Sequence, residues 1–140
     1  MTWYQKRGSK TDRSKSMKKA DTFFSKFIRL RDADEHGYVS CVTCGSRRHW
    51  REVDCGHFIT RAKQATRYDE RNCHAQCKGC NRFQGGKFLE HEIAIDRIHG
   101  RGTAEYLKRK ALMPCRRTAI DFAHIAMEYK AKANELDPRP

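Results

Sequence analysis

Four cysteines occur in two pairs whose spacing is typical of a structural metal site. The stretch CVTC contributes Cys41 and Cys44, and CKGC contributes Cys77 and Cys80. A gap of two residues lets both thiolates of a pair reach one tetrahedral zinc ion from a tight turn. The sequence therefore predicts a zinc site with four cysteine ligands, which has no open coordination position and takes no part in a reaction.

The 32 residues between the pairs carry polar side chains suited to the hydrolysis of a phosphodiester. That reaction needs a base for water, a hard divalent ion such as Mg²⁺ or Mn²⁺ on oxygen ligands, and cations near the phosphate. Candidates for all three are present. They are Asp54, His57, Arg61, Arg67, Asn72 and His74, together with Asn81 directly after the last cysteine.

Several of these side chains also have ordinary structural interpretations. A histidine among apolar residues is more often a core residue than a catalyst. For His57 the catalytic interpretation is favoured, because the residue lies in the segment between the two predicted zinc-binding cysteine pairs. A turn or salt-bridge role for Asp54 is as well supported as metal binding. His74 could bind metal, contact phosphate or pack in the core. We expect Arg61 and Arg67 to contact DNA, because they lie near the candidate base on the same loop.

Composition indicates a polyanionic partner and a reducing compartment. The chain has 140 residues and a net charge of +13, which favours nucleic acid. Residues 1–20 carry seven Lys and Arg residues against Asp12 alone, and we interpret them as a disordered basic arm whose Lys18 and Lys19 contact DNA. No apolar run resembles a membrane span or a signal peptide, so we expect a cytoplasmic protein. The three unpaired cysteines are interpreted as small buried hydrophobic residues: Cys55, Cys73 and Cys115.

Apolar periodicity and capping residues predict an α+β fold. Asp21 suits the N-cap of a short helix, and residues 38–60 predict a hairpin that carries the first cysteine pair. From Asn72 we expect a helix running through the second pair. Further helices are predicted over 88–98, from Thr103 to Pro114 and from a capping box at Thr118.

The chain is accordingly divided into three segments. The arm covers 1–20, and a zinc-bracketed domain with flanking helices covers 21–113. A C-terminal helix over 114–140 packs on the core or at a dimer interface. Its apolar stripe serves either role equally well, and consists of Phe122, Ile125 and Tyr129.

Four ordered motifs resemble the NinG family of lambdoid phage recombination proteins, also called Rap, which is related to HNH (ββα-metal) endonucleases. They are CVTCG, DCGHF, RYDERNCHAQC and CNRFQGGK, and the similarity runs from about residue 20 to residue 112. The resemblance implies a zinc-stapled ββα-metal core with flanking helices, a catalytic divalent ion, and structure-selective cleavage of Holliday junctions and D-loops. It also implies a location in the bacterial host cytoplasm and other recombination proteins as partners.

The resemblance assigns roles to individual residues. His57 matches the first histidine of the HNH motif, the general base, and Asn72 matches the middle asparagine, which orients the loop carrying that base. Asn81 lies where resolvases of the endonuclease VII type place an asparagine on the catalytic metal. The chain departs from the HNH pattern at Gly56, where a metal ligand commonly precedes the base, so Asp54 is the nearest candidate ligand.

Two further function classes remain open on the sequence alone. A non-catalytic, zinc-stapled DNA-binding module would explain the charge and the four cysteines equally well. A general HNH nuclease without preference for branched DNA, or an HNH fold without activity, is also compatible with the motifs. Because a four-way junction needs two related cuts on opposing strands, cleavage of that substrate would favour a homodimer.

Overall fold

The computed structural model describes the backbone of residues 10–137 and the side chains of residues 12–137. Within these residues the chain forms two compact units. One comprises residues 10–27 and 116–137, and the other comprises residues 28–115. The prediction of an α+β fold is confirmed, because helices are combined with two small antiparallel sheets.

The first unit is built from two helices, α1 (Lys10–Arg31) and α5 (Ala119–Leu136). Only the part of α1 up to Phe27 belongs to this unit. The ring of Phe24 meets Tyr129 edge to face at a centroid distance of 4.8 Å, and Phe122 is completely buried. The helix α5 starts with the predicted capping box: Thr118 accepts from the Asp121 amide, and the Asp121 carboxylate accepts from the Thr118 amide. Two members of the predicted apolar stripe, Phe122 and Tyr129, therefore cover this unit's own core.

The prediction of a disordered arm over residues 1–20 is wrong for residues 10–20, which form the first half of α1. Residues 1–9 lie outside the described part of the chain. Asp21 consequently lies inside a helix and does not cap one. The guanidinium of Arg13 lies 5.1 Å from the Phe122 ring centroid and donates to the Arg117 carbonyl at 2.9 Å. Local composition does not reveal such contacts, because the partners lie about a hundred residues away.

The second unit contains both sheets. Strands β1 (Tyr38–Ser40) and β2 (Arg47–His49) form the predicted hairpin, and the first cysteine pair lies in its turn. Strands β3 (Asp54–His57) and β4 (Cys73–Gln76) form the second antiparallel pair. A π-helical turn over Gly79–Phe83 follows β4 and carries Cys80.

The helix predicted to start at Asn72 is wrong, because residues 73–76 form strand β4. All four of its residues are buried, so the polar and apolar alternation that identifies a half-exposed strand is missing. The helical turn begins only after the strand, at the second cysteine pair.

Three helices complete the second unit. The short helix α2 (Gln64–Arg67) lies in the loop between β3 and β4, and α3 (Phe88–His99) and α4 (Thr103–Lys110) follow as predicted. An apolar cluster joins this loop to both longer helices, and consists of Phe58, Ile95, Ala104 and Leu107. Across residues 10–137, no helix combines the length and apolarity needed to cross a membrane.

Candidate active site and zinc centre

The two cysteine pairs meet in one cluster, hereafter the four-cysteine cluster. The sulfur atoms of Cys41, Cys44, Cys77 and Cys80 all lie within 4.8 Å of one another. The Cys44 and Cys77 sulfurs are 3.7 Å apart. This agrees with the sulfur–sulfur distance of roughly 3.8 Å in a tetrahedral site whose zinc–sulfur bonds are about 2.3 Å long. The donor set and its spacing therefore fit a metal ion such as zinc, as the sequence predicted.

The local backbone supports this arrangement. The amide of Cys80 donates to the Cys77 sulfur at 3.4 Å, which is the kind of contact that holds a thiolate at a tight turn. Burial opposes ionisation of Cys41, yet hydrogen bonds to Thr43 and to nearby amides bring its pKa down to about 6. Burial raises the pKa of Cys80. Metal binding must therefore displace protons from this cluster.

His57 ends strand β3 and pairs with Cys73 across the sheet. Its Nε2 lies 3.0 Å from the carbonyl oxygen of Arg67. A carbonyl can only accept, so Nε2 carries a hydrogen, and in the neutral form of the ring Nδ1 carries the lone pair. The backbone thus fixes the tautomer and the orientation of a half-buried imidazole, which suits a base.

Asn72 holds the loop between β3 and β4 in place. It is completely buried, and its Oδ1 accepts from the Ile59 amide at 2.8 Å. Its Nδ2 donates to the carbonyls of Ile59 and Thr66, at 3.0 and 3.2 Å. Since the same loop carries the Arg67 carbonyl that binds His57, Asn72 positions the histidine indirectly.

Asp54 and Asn81 also lie together. The Asn81 amide donates to Asp54 Oδ2 at 2.9 Å, while Arg82 donates to both oxygens of the same carboxylate, at 2.8 and 2.9 Å. Burial opposes ionisation of Asp54, but the hydrogen bonds from Arg82 and Asn81 outweigh it and lower its pKa. The carboxylate is therefore ionised and already paired with one cation.

The predicted site residues divide between the two faces of β3. Side chains alternate along a strand, so Asp54 projects to one face and His57, three residues later, projects to the other. Asn81 joins Asp54, and the sulfurs of Cys55 and Cys73 lie near a ring nitrogen of His57. The strand pair thus separates an oxygen-rich face from a face with sulfur and nitrogen donors.

Sequence interpretation missed Gln76, which lies on the face of Asp54 and pairs with it in register. Its Nε2 donates to Thr43 Oγ1 at 3.0 Å and to the Gly86 carbonyl at 2.9 Å. Because that carbonyl only accepts, the orientation of the amide is fixed. The Oε1 atom is buried and has no hydrogen-bond partner among the described residues, a situation that usually indicates an additional water or ion.

Gly56, the residue before the candidate base His57, lies directly under this amide. A Cβ atom placed on Gly56 would be 2.1 Å from Gln76 Oε1 and 2.9 Å from Gln76 Cβ. The missing side chain at residue 56 is therefore explained by packing: Gln76 fills the space, and its oxygen occupies the position of a residue-56 side chain.

His74 belongs to a chain of three histidines that the sequence did not indicate. Its Nδ1 is 3.0 Å from His91 Nε2 and its Nε2 is 2.8 Å from His99 Nε2, so both ring nitrogens already have partners. Burial lowers the pKa of His74 to about 2 and that of His91 to about 4. Both rings are neutral near pH 7, and of the three predicted roles for His74 the contacts support packing in the core.

The predicted DNA contacts differ in their accessibility. Arg67 is buried, and its Nη1 donates to the Arg61 carbonyl at 2.7 Å, so its guanidinium supports the loop and presents little surface to DNA. Arg61 is exposed in the same loop. Lys18 and Lys19 are exposed on α1.

A family model described as "Bacteriophage Lambda NinG protein" matches residues 1–138. The chain belongs to the NinG family. Curated relatives named "Protein ninG" include that of Salmonella phage P22, 37% identical over 90 residues that cover 61% of this chain and 41% of the relative. The protein of Escherichia phage lambda is 29% identical over 127 residues, 89% of this chain and 58% of the relative. No solved structure matches the chain.

The matched regions span about two fifths to three fifths of the length of these NinG relatives. A third one, from Escherichia phage 933W, is 35% identical over 86 residues that cover 59% of this chain and 39% of the relative. The names of these relatives give the family and state no activity.

The contact between Gly56 and Gln76 predicts the effect of a single methyl group in this NinG-family chain. We expect Gly56→Ala to lower the free energy of unfolding by about 1–3 kcal/mol, the usual cost of overpacking. Rotation of the amide alone cannot relieve the clash, because the Gln76 Cβ is also too close. Chemical denaturation measures the change.

Gly79→Ala is the matched control, because the added Cβ would meet only the Cys77 sulfur, at 3.9 Å. We expect this variant to unfold at nearly the wild-type denaturant concentration. Equal stability of the two variants would contradict the packing assigned to Gln76.

Proposed function

We propose that this NinG-family protein is a metal-dependent endonuclease of the HNH type that hydrolyses phosphodiesters in branched DNA, such as Holliday junctions and D-loops. The observation that carries the proposal is the tautomer of His57, fixed by the Arg67 carbonyl with Nδ1 as the basic nitrogen. Asn72 clamps the loop that supplies this carbonyl, and the four-cysteine cluster joins the chain on either side of it.

In the neutral form of the His57 ring, Nδ1 is the nitrogen that can accept a proton. Its Nδ1 takes a proton from the attacking water as the new phosphorus–oxygen bond forms, which is general base catalysis. The hydrogen bond from Nε2 to the Arg67 carbonyl stabilises the imidazolium that results. The bond between phosphorus and the 3′-oxygen breaks, and the leaving oxygen takes a proton from solvent, so that the products carry 5′-phosphate and 3′-hydroxyl ends.

The opposite face of β3 offers oxygen ligands for the divalent ion. We assign Asp54 and Asn81 to Mg²⁺ or Mn²⁺, ions that bind carboxylate and amide oxygens, and add Gln76, whose buried Oε1 has no partner among the described residues. Because Asp54 and His57 lie on opposite faces of β3, an ion bound there would stabilise negative charge on the phosphate attacked beside His57 only if the DNA strand passes around the end of the strand pair. Arg82 now neutralises Asp54, so the guanidinium must move aside or share the carboxylate.

The Arg82 pair also supports a second candidate function. The Arg82 guanidinium donates to both oxygens of Asp54. A structural ion pair is therefore sufficient to explain the presence of this carboxylate. With the net charge of +13 and the four-cysteine cluster, the chain would then be a DNA-binding module without catalysis, whose affinity comes from phosphate contacts.

A cleavage assay with matched DNA separates the candidates. We expect the protein to cut a labelled four-way junction in the presence of magnesium and to cut a linear duplex of the same arm sequences more slowly. Chelator should stop cleavage, and manganese should restore it. Junction binding without cleavage in either metal would favour the binding module, and equal cutting of both substrates would favour a general HNH nuclease.

Resolution of a junction would also require two active sites. We propose that the protein acts as a homodimer on this substrate, because each chain contributes one His57 and two opposing strands must be cut. A single nick per junction, with a monomer bound, would contradict the dimer while leaving the nuclease assignment in place.

A further inference from the structure

A second group of metal-ligating side chains lies on the face of β3 that carries His57. A ring nitrogen of His57 and the sulfurs of Cys55 and Cys73 lie within 4.8 Å of one another, hereafter the Cys55–His57–Cys73 cluster. Cys55 lies two residues before His57 on the same strand face, and Cys73 pairs with His57 across the sheet. The strand register thus brings together three residues that are spread over nineteen positions of the sequence.

The donor types select a thiophilic ion. Two thiolates and an imidazole form a known ligand set for zinc, in which a fourth position stays open to solvent or substrate. Magnesium and manganese prefer oxygen ligands, which lie on the other face of the strand at Asp54 and Asn81. Cys73 is completely buried whereas Cys55 and His57 are half-buried, so an ion can approach from the side of Cys55 and His57.

The surrounding backbone holds the histidine ligand in place. The Arg67 carbonyl accepts from His57 Nε2 at 3.0 Å and lies 3.9 Å from the Cys73 sulfur. The hydrogen bond that His57 Nε2 donates to this carbonyl fixes the orientation of the ring and strengthens metal binding at its other nitrogen. The loop clamped by Asn72 therefore supports the imidazole, whereas the Cys73 thiol gives up its contact with the carbonyl when it loses its proton.

We propose that the Cys55–His57–Cys73 cluster is a second, inhibitory site for zinc or another thiophilic divalent ion. Binding releases the thiol protons to solvent as the metal–sulfur bonds form. A neutral imidazole has one nitrogen lone pair, so an ion that takes it leaves none for the proton of the attacking water. The binding site stands independently of the proposed nuclease, whereas its inhibitory effect rests on that proposed function.

Metal analysis of the reduced 140-residue chain tests the site directly. After equilibration with zinc and removal of the unbound metal, we expect about two zinc ions per wild-type chain and about one in Cys55→Ser and in Cys73→Ser. Cys115→Ser is the control, because Cys115 lies outside both clusters, and it should keep about two. About one zinc ion in the wild-type protein, unchanged in Cys55→Ser, would overturn the site.

A spectroscopic titration tests the second metal site in the wild-type protein itself, so that the conclusion does not depend on the folding of a variant. Cobalt replaces zinc and gives sulfur-to-metal charge-transfer absorption, which should rise in two phases in the wild-type protein and in one phase in Cys55→Ser. Circular dichroism checks that each variant is folded. A single phase in the folded wild-type protein would contradict the proposal.

Cleavage provides the second measurement. We expect micromolar zinc to inhibit magnesium-dependent cutting by the wild-type protein at least tenfold, and the ratio of rates without and with zinc to fall toward one in Cys55→Ser. Two zinc ions per chain together with no cleavage under any condition would retain the site and remove the nuclease. Active cleavage with one zinc ion per chain would support the nuclease and rule out the second metal site.

Discussion

We expect His57→Ala to reduce the proposed cleavage of junction DNA by roughly 10²-fold or more, the usual contribution of a general base. The variant loses the only group that we assign to proton removal, while the carbonyl of Arg67 and the clamp by Asn72 remain. Single-turnover rates at saturating magnesium measure the chemical step. Zinc in the four-cysteine cluster and the affinity for junction DNA should persist.

His36→Ala is the matched control for this change. His36 lies in the same unit, and its side chain is 75% exposed, so its removal should leave the rate unchanged. Near-normal turnover by His57→Ala would refute the catalytic assignment. An equal loss in both variants would trace the effect to preparation of the protein instead of to the base.

Cys77→Ser will release zinc from the four-cysteine cluster and unfold the second unit. Structural zinc sites contribute an apparent binding free energy of about 10–16 kcal/mol, which is as large as the whole stability of an ordinary domain. Cys77 is buried beside Cys44, and serine cannot supply a thiolate. Metal analysis and thermal unfolding followed by circular dichroism measure both effects.

Cys115→Ser controls for the loss of one thiol outside the cluster, and we expect unchanged zinc content and unfolding temperature. If Cys77→Ser kept both at wild-type values, the two cysteine pairs would not form one site. The prediction also separates structural from catalytic metal, because chelation of magnesium alone should stop cleavage without unfolding the protein.

Local sequence rules predicted those features whose causes lie within a few residues. The cysteine pairs depend on a two-residue gap, and the capping box at Thr118 depends on a residue three positions later. The helices over 88–98 and from Thr103 follow from apolar spacing and nearby glycines. Each of these signals is complete within a short window, and each corresponds to an element of the structure.

Features formed by distant residues were not predictable in this way. Strand β4 is buried on both faces, so its sequence lacks alternation. The first half of α1 is held by Arg13 against Phe122, at the other end of the chain. The chain of histidines joins positions 74, 91 and 99, whose spacing follows no motif.

The site shows the same division. Motif resemblance selected His57 and Asn72, and the contacts of both are those of an oriented imidazole and a loop clamp. It did not indicate Gln76, because a glutamine before a cysteine is unremarkable until its amide is found against Gly56. Nor did it indicate that Cys55 and Cys73 approach His57, since that depends on the register between β3 and β4.

The contact between Gly56 and Gln76 also constrains how this site can change during evolution. An aspartate or histidine at residue 56 cannot be introduced while Gln76 occupies the same space. Residue 76 must first become smaller, and that step loses the hydrogen bonds to Thr43 and Gly86. The two positions should therefore covary among homologues, and a protein with a side chain at residue 56 should carry a shorter residue at 76.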